Sequence, residues 1–210
     1  MIKLVIFDLD GTLVDAYQAI GRSLNFTLRK SGRRPVGLAA VRRSVGWGDK
    51  NFIRSFFNKN DAVKALRIYR RHHKESLLEY SRVIPGARRV LAALRARGLK
   101  LAIASNRPAR FTGILLSVLA LRPYFDMVAC GKDKKDLKPS PRLLRKVMKK
   151  LGVSPDKVIY VGDMAIDVLA GRNAGVKTIA VRGGSSSGAD LKKAGPARLI
   201  NKITDLPEII

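Results

Sequence analysis

The chain is poor in cysteine, in acid and in uninterrupted apolar sequence. A single cysteine, Cys130, excludes an internal disulfide framework and any zinc site built from cysteines. The longest apolar run, Ile114 to Leu121, is eight residues and contains Ser117, far short of the roughly 20 needed to span a bilayer. Met1 to Phe7 is apolar but runs straight into Asp8 and Asp10 with no small-residue cleavage site, so no signal peptide is expected. The expectation is a soluble, cytoplasmic protein with no membrane partner. Aromatic residues make up 6% of the chain, and no aromatic RNA platform, helix-turn-helix or zinc module is evident. Acid is scarcer still, with 16 Asp+Glu against 42 Lys+Arg and a formal net charge of +26.

That charge attracts anions of every kind, including phosphorylated metabolites, nucleic acid and anionic surfaces. It is spread along the chain, net +11 between Val14 and Arg82 and +15 in the remainder, and so is no appended basic tail. A proteome-wide bias of the source accounts for it as well as a function does.

At 210 residues and 46% hydrophobic, the chain can build one domain with a smaller subdomain. Ile2 to Phe7 is rich in branched residues and suits a central parallel strand buried on both faces. From Ala16 to about Tyr80 the spacing becomes helical. Ile20, Leu24 and Leu28 form one stripe, Phe52, Ile53, Phe56 and Phe57 a second, and Leu66, Tyr69 and His73 a third. Gly46-Trp47-Gly48 reads as an exposed turn between helices. From Val83 onward strands alternate with helices. The strands are Leu99–Ala104, Met127–Cys130, Val158–Val161 and Lys177–Val181, and the helices start near Pro85, Pro108, Pro141 and Ala165. This order predicts right-handed βαβ units, hence an α/β Rossmann-like core of parallel sheet from residues 1–14 and 83–210, with a small all-helical insert over 15–82.

Parallel sheets bind ligands at the carboxyl ends of their strands. Four such ends carry reactive groups: Asp8-Leu9-Asp10-Gly11-Thr12, Ser105-Asn106, Lys138-Pro139, and Gly162-Asp163 with Asp167. Asp8 and Asp10 are two apart, so both carboxylates leave an extended chain on one side. Asp163 and Asp167 are four apart and stack on one helix face, where like charges repel. Crowded carboxylates at neutral pH need a cation, and an oxygen-only ligand set favours a hard ion such as Mg²⁺. Read one at a time, Asp163 is equally a helix N-cap and Asp10-Gly11 an ordinary turn.

Taken in order, Phe7-Asp8-Leu9-Asp10-Gly11-Thr12-Leu13, Ala104-Ser105-Asn106, Lys138-Pro139 and Gly162-Asp163-Met164-Ala165-Ile166-Asp167 resemble the four motifs of the haloacid dehalogenase-like hydrolases over essentially the whole chain. The helical insert and the Ser-rich loop Gly183 to Asp190 are similar to the phosphoglycolate phosphatase branch. The resemblance implies a cytoplasmic, Mg²⁺-dependent phosphatase acting on a small phosphorylated metabolite. Asp8 would be the nucleophile and Asp10 the acid and base, with Ser105 bonded to the phosphoryl group and Lys138 offsetting its charge. Mg²⁺ would be held by Asp8, the Asp10 carbonyl and Asp163, with Asp167 orienting the shell. Thr12 and Asn106 are expected near the substrate, and Arg42, Trp47 and Lys50 of the insert are the expected specificity residues. A solvated basic face with Trp47 packed inward is the plainer reading of those three.

Asp10 argues against carbon–halogen cleavage, where the leaving group needs no proton. The turn Val45 to Lys50 lacks the Lys-Gly-x-Ser pattern of the related sugar-phosphate mutases, and no histidine precedes His72. A nucleotide or polynucleotide-end phosphatase, a mutase, or a nucleic-acid binder using Arg67, Arg70, Arg71 and Lys74 or Lys146, Lys149 and Lys150 remain alternatives. His72 and His73 read as surface residues because adjacent side chains diverge on a helix, and Cys130 as a buried strand residue with no His or Asn partner. The sequence leaves the choice between monomer and homodimer open.

Overall fold

A computed structural model describes residues 1–210. β1 (Leu4–Phe7) is the centre of a six-stranded sheet and is fully buried. Its alternation sends Val5 and Phe7 into the larger apolar core, with Leu101, Ile103 and Leu91, and Leu4 and Ile6 into a second core with Tyr160, Leu144 and Val147. Two buried faces are why the strand reads as a continuous apolar run. The other strands are β4 (Lys100–Ser105), β5 (Met127–Cys130), β6 (Val158–Gly162), β7 (Lys177–Val181) and β8 (Arg198–Ile200), in the order β5-β4-β1-β6-β7-β8, all parallel. Helices α5 (Ala87–Ala96), α6 (Ala109–Val118), α7 (Arg142–Leu151), α8 (Ala165–Ala174) and α9 (Gly188–Ala194) flank them. β8 carried no pattern of its own, being three residues long with an exposed first residue.

Between the first two sheet strands in chain order lie α1 (Tyr17–Lys30), α2 (Leu38–Ser44), α3 (Asp49–Arg54) and α4 (Lys59–Tyr80). The chain leaves and re-enters the sheet region through a two-residue antiparallel ladder, β2 (Val14–Asp15) with β3 (Arg82–Val83). Residues of these helices, among them Leu24, Val41, Ile53, Tyr69 and Leu77, share one apolar cluster with Val5 and Phe7. The four helices therefore sit on the sheet region without a core of their own.

Two local expectations need correction. The helix after residue 83 starts at Ala87, not at Pro85, because Gly86 adopts φ +82 and a Cβ there would run into the Thr204 side chain. His73 is buried, as the stripe through Tyr69 implied, and is not the surface residue that adjacency to His72 suggested. Trp47 is 44% exposed, as the exposed turn implied, and the plainer reading of it packed inward does not hold. No helix is long and apolar enough to cross a membrane.

Leu77 and Leu78 are neighbours on α4 with opposite environments, fully buried and half exposed. Leu77→Ala should lower unfolding stability by about 2–5 kcal/mol and Leu78→Ala by no more than about 0.5, read from denaturant midpoints at unchanged slope.

Candidate active site

The sheet register assembles the site. Phe7 of β1 lies level with Ile103 of β4 and Val161 of β6, so Asp8, Ser105 and Asp163 emerge together at the carboxyl edge. Lys138, on the loop between β5 and α7, reaches in from the side. Its buried ammonium lies 2.7 Å from Asp8 Oδ1 and 2.6 Å from Asp167 Oδ1, and donates to the Tyr160 hydroxyl at 3.0 Å. All three N–H groups of the ammonium are thereby used. Tyr160 donates in turn to Asp167 Oδ1 at 2.8 Å, and the Met164 amide fills Asp167 Oδ2 at 3.0 Å. Asp167 is thus a fully bonded brace for the lysine at the start of α8.

Asp163 is fully buried, accepting from the Thr12 hydroxyl at 3.1 Å and the Ser185 amide at 2.7 Å. A Cβ at Gly11 or Gly184 would collide with its carboxylate, which gives the Gly-Ser-Ser loop after β7 a packing role. Asp10 takes a different partner. Both its oxygens are forked by Arg107, Nε to Oδ2 at 2.8 Å and Nη2 to Oδ1 at 2.7 Å.

The small cavity above Asp8 has a volume of about 70 Å³ measured to the centre of a water molecule. Its walls include Asp8, Asp10, Ser105, Asn106, Arg107 and Lys138 below, and Gly46, Gly48, Asp49, Tyr69 and His73 from the helical segment. Asn106 joins the two sides, donating to the Gly46 carbonyl at 2.8 Å and accepting from the Lys138 amide at 2.7 Å.

Burial and charge move the acids. Asp8 is raised from 3.8 to about 7, chiefly by burial and further by Asp167 and Asp10, against the pull of Lys138. Asp163 is raised well above the carboxylate range by burial, then by Asp167 and Asp8. Burial opposes the charge on Lys138, but Asp167 and Asp8 outweigh it and hold the ammonium above its ordinary range.

Carboxylate oxygens of Asp8, Asp163 and Asp167 lie within 4.8 Å of one another. An all-oxygen set whose members are pushed toward the neutral form fits a hard divalent cation, which would favour their ionised forms. Asp167 already accepts three hydrogen bonds, two of them on Oδ1, and Asp163 only two, so Asp8 and Asp163 would hold the ion most directly.

Asp8, Asp10, Ser105, Asn106, Lys138, Asp163 and Asp167 are therefore brought together. Four expected residues lie elsewhere. Thr12 has no exposed surface and binds Asp163, because the chain turns at Gly11 and swings its hydroxyl under the sheet edge. Trp47 and Lys50 point to solvent beside the cavity, which their neighbours Gly48 and Asp49 line instead. Arg42 lies over the Tyr17 ring at 4.2 Å and donates to the Gly183 carbonyl at 3.3 Å, strapping α2 to the loop that holds Asp163. The Asp10 side chain stands apart from the acidic triad. The sequence reading missed Arg107, Tyr160, Tyr17 and Asp49. Arg107 directly follows Ser105-Asn106 and was the one most open to recognition.

The family model for haloacid dehalogenase-like hydrolases matches residues 5–181. The chain belongs to this family. It is 34% identical to a phosphoglycolate phosphatase of Pseudomonas fluorescens, over 97% of this chain and 78% of that one. It is 32% identical to a phosphoglycolate phosphatase of Aquifex aeolicus, over 84% and 83%. Among solved structures, a protein of Haemophilus somnus described as a predicted phosphoglycolate phosphatase superposes with a TM-score of 0.92 at 23% identity, covering 99% of this chain and 97% of that one. Within the haloacid dehalogenase-like family this chain is a phosphoric monoester hydrolase of the phosphoglycolate phosphatase-like kind.

In the cation-free protein Asp8 holds a proton in the fold that it has lost in the unfolded chain, anywhere between its ordinary 3.8 and about 7. The native state then binds more protons, so this contribution is fully present below the lower value and is lost as pH rises through the upper one. With a chelator present, wild type should lose more stability between pH 5 and pH 7.5 than Asp8→Asn does. Parallel thermal unfolding curves for the two would contradict the raised pKa.

Proposed function

We propose that the protein hydrolyses a two- or three-carbon phosphate monoester, phosphoglycolate first among them, with Mg²⁺ and through an aspartyl-phosphate at Asp8. The observation that carries this is the contact between the buried Lys138 ammonium and Asp8 Oδ1. It leaves Oδ2 of Asp8, a residue that lines the cavity, with no hydrogen-bond or ion-pair partner.

In the first half-reaction an Asp8 oxygen attacks phosphorus and the ester P–O bond breaks. The departing oxygen takes a proton from Asp10. In the second, water attacks the phosphorus of the aspartyl-phosphate, its proton passes to Asp10, and the bond to Asp8 breaks to release inorganic phosphate. Lys138 favours the ionised form of Asp8 against burial and offsets charge on the transferring group. Ser105 and the amides beside it offer hydrogen bonds to the phosphoryl oxygens. Bound between Asp8 and Asp163, Mg²⁺ would supply electrostatic stabilisation of the phosphoryl charge. Positioning and charge do most of the work in phosphoryl transfer, and this arrangement offers both.

The small cavity favours small substrates. The Asp8 side chain is only 8% exposed beneath the helical segment, which argues against a polynucleotide end as the substrate. Phosphoglycolate is favoured by the names of the relatives.

Asp8→Asn should lower kcat/KM for phosphoglycolate by roughly 10⁴ or more while the protein stays folded, and full activity in that variant would remove the mechanism. Independently of turnover, Mg²⁺ at a hundredfold excess over Kd should raise the Tm of wild type by roughly 5–10 °C. Asp163→Asn should lose most of that shift, and an equal shift in both would place the ion elsewhere.

A further inference from the structure

The residues that motif spacing singles out do not explain what holds the Asp10 side chain. Its only polar side-chain partner is Arg107, on the loop after β4, whose own side chain is 7% exposed. The fork contacts both carboxylate oxygens and fixes the plane of the group, and Asp10 lines the cavity. The remaining Nη1 of Arg107 lies 2.9 Å from Nε2 of His73, on α4.

The direction of each bond in this chain follows from chemistry. A guanidinium only donates, so His73 Nε2 accepts and the ring proton sits on Nδ1. That proton faces Ser23 Oγ at 3.1 Å, and Ser23 donates onward to the Ala19 carbonyl at 2.9 Å. The His73 ring is clamped between Tyr69, stacked at 4.8 Å, and Phe111, edge-on at 4.9 Å. Burial, and then the Arg107 charge, hold the His73 pKa well below its ordinary value, consistent with a neutral acceptor.

Resting on the acid–base role given to Asp10 above, we propose that Arg107, aligned by His73 of α4, is the positioning residue for Asp10, so that proton delivery to the leaving group depends on the helical segment. Arg107 acts through Asp10 and is distinct from the groups that hold the phosphoryl oxygens. A tie that served only to pin α4 to the sheet region would leave the proton transfer untouched.

Leaving-group dependence separates the two roles. Ethyl phosphate releases an alkoxide that must be protonated, whereas acetyl phosphate, of similar size, releases acetate, which needs no proton. Because kcat/KM reports only steps up to phosphorylation of Asp8, the later water step does not enter. Asp10→Asn sets the reference. It should lower kcat/KM for ethyl phosphate by about 100-fold or more, and for acetyl phosphate by less than about tenfold.

Arg107→Met should show the same split. Arg107→Lys, with one donor direction in place of a fork, should fall between it and wild type. His73→Leu is the second test should Arg107→Met fail to fold, and it should shift the ethyl-to-acetyl ratio by about tenfold. His73→Gln keeps an acceptor for Nη1 and should restore the ratio to within about threefold of wild type. Equal losses on both esters in Arg107→Met or His73→Leu, alongside a clear split in Asp10→Asn, would overturn the positioning role alone. No split in Asp10→Asn would overturn the acid role of Asp10 and this proposal with it.

Discussion

One buried ammonium holds the site together. Lys138 lies within 2.7 Å of both Asp8 and Asp167, and without it two carboxylates would face each other across the sheet edge in a medium that screens them poorly. Burying an ion pair is stabilising only when the remaining hydrogen-bonding capacity is satisfied. Here it is, since the third N–H of the lysine meets Tyr160 and both oxygens of Asp167 are bonded. Losing Lys138 would leave two uncompensated buried charges, the costliest kind of polar defect in a core.

The charges of the site do not close on the protein's own groups. Asp8, Asp10, Asp163 and Asp167 face two buried cations, Lys138 and Arg107, which leaves two negative charges when all four acids are ionised. Burial first, and that surplus of negative charge after it, push Asp8 and Asp163 toward their neutral forms. A divalent cation would balance the surplus instead. Around this negative pocket the protein is strongly positive, +26 overall, so the long-range field draws a phosphate dianion toward a floor that would repel it if the cation were missing. Attraction at a distance and acceptance at the site are thus separate requirements.

The parts legible in the sequence were those that local chain geometry dictates. Asp8, Ser105 and Asp163 end strands whose apolar runs are readable, and a parallel register brings such ends to one edge whatever the rest of the chain does. The helix starting at Ala165 was readable from the alternation of strands and helices, and the structure closes it at Gly175, in the left-handed region. What escaped depends on side-chain direction. Thr12 was expected at the substrate because it sits in the first motif, yet the turn at Gly11 aims it at Asp163. Lys50 and Asp49 are adjacent and differ only in which side of α3 they leave, and only Asp49 faces the cavity, held by Arg70 at 2.7 Å. His73 carried two contradictory signals, a place on a buried stripe and a polar neighbour in His72. The stripe prevailed because Arg107 and Ser23 satisfy both ring nitrogens, removing the usual penalty for burying an imidazole.

Those same polar groups determine how the helical segment meets the sheet region. Besides the Tyr17–Ser185 hydroxyl pair, three ties cross the gap and matter here: Asn106 to the Gly46 carbonyl, Arg42 to the Gly183 carbonyl, and Arg107 to His73. Each ends on a residue adjoining a catalytic element, namely the Lys138 loop, the loop that bonds Asp163, and Asp10. The first two are single hydrogen bonds to carbonyls, worth about 1 kcal/mol apiece net of water, or somewhat more where the donor is charged. The third is buried and continues into a two-pronged ion pair. The ties are therefore unequal. Contacts on the Lys138 and Asp163 side are individually weak and replaceable by water, whereas the contact behind Asp10, the proposed acid–base residue, is stiff. A segment fastened in this way can vary its loops over the cavity while the Asp10 carboxylate keeps its place.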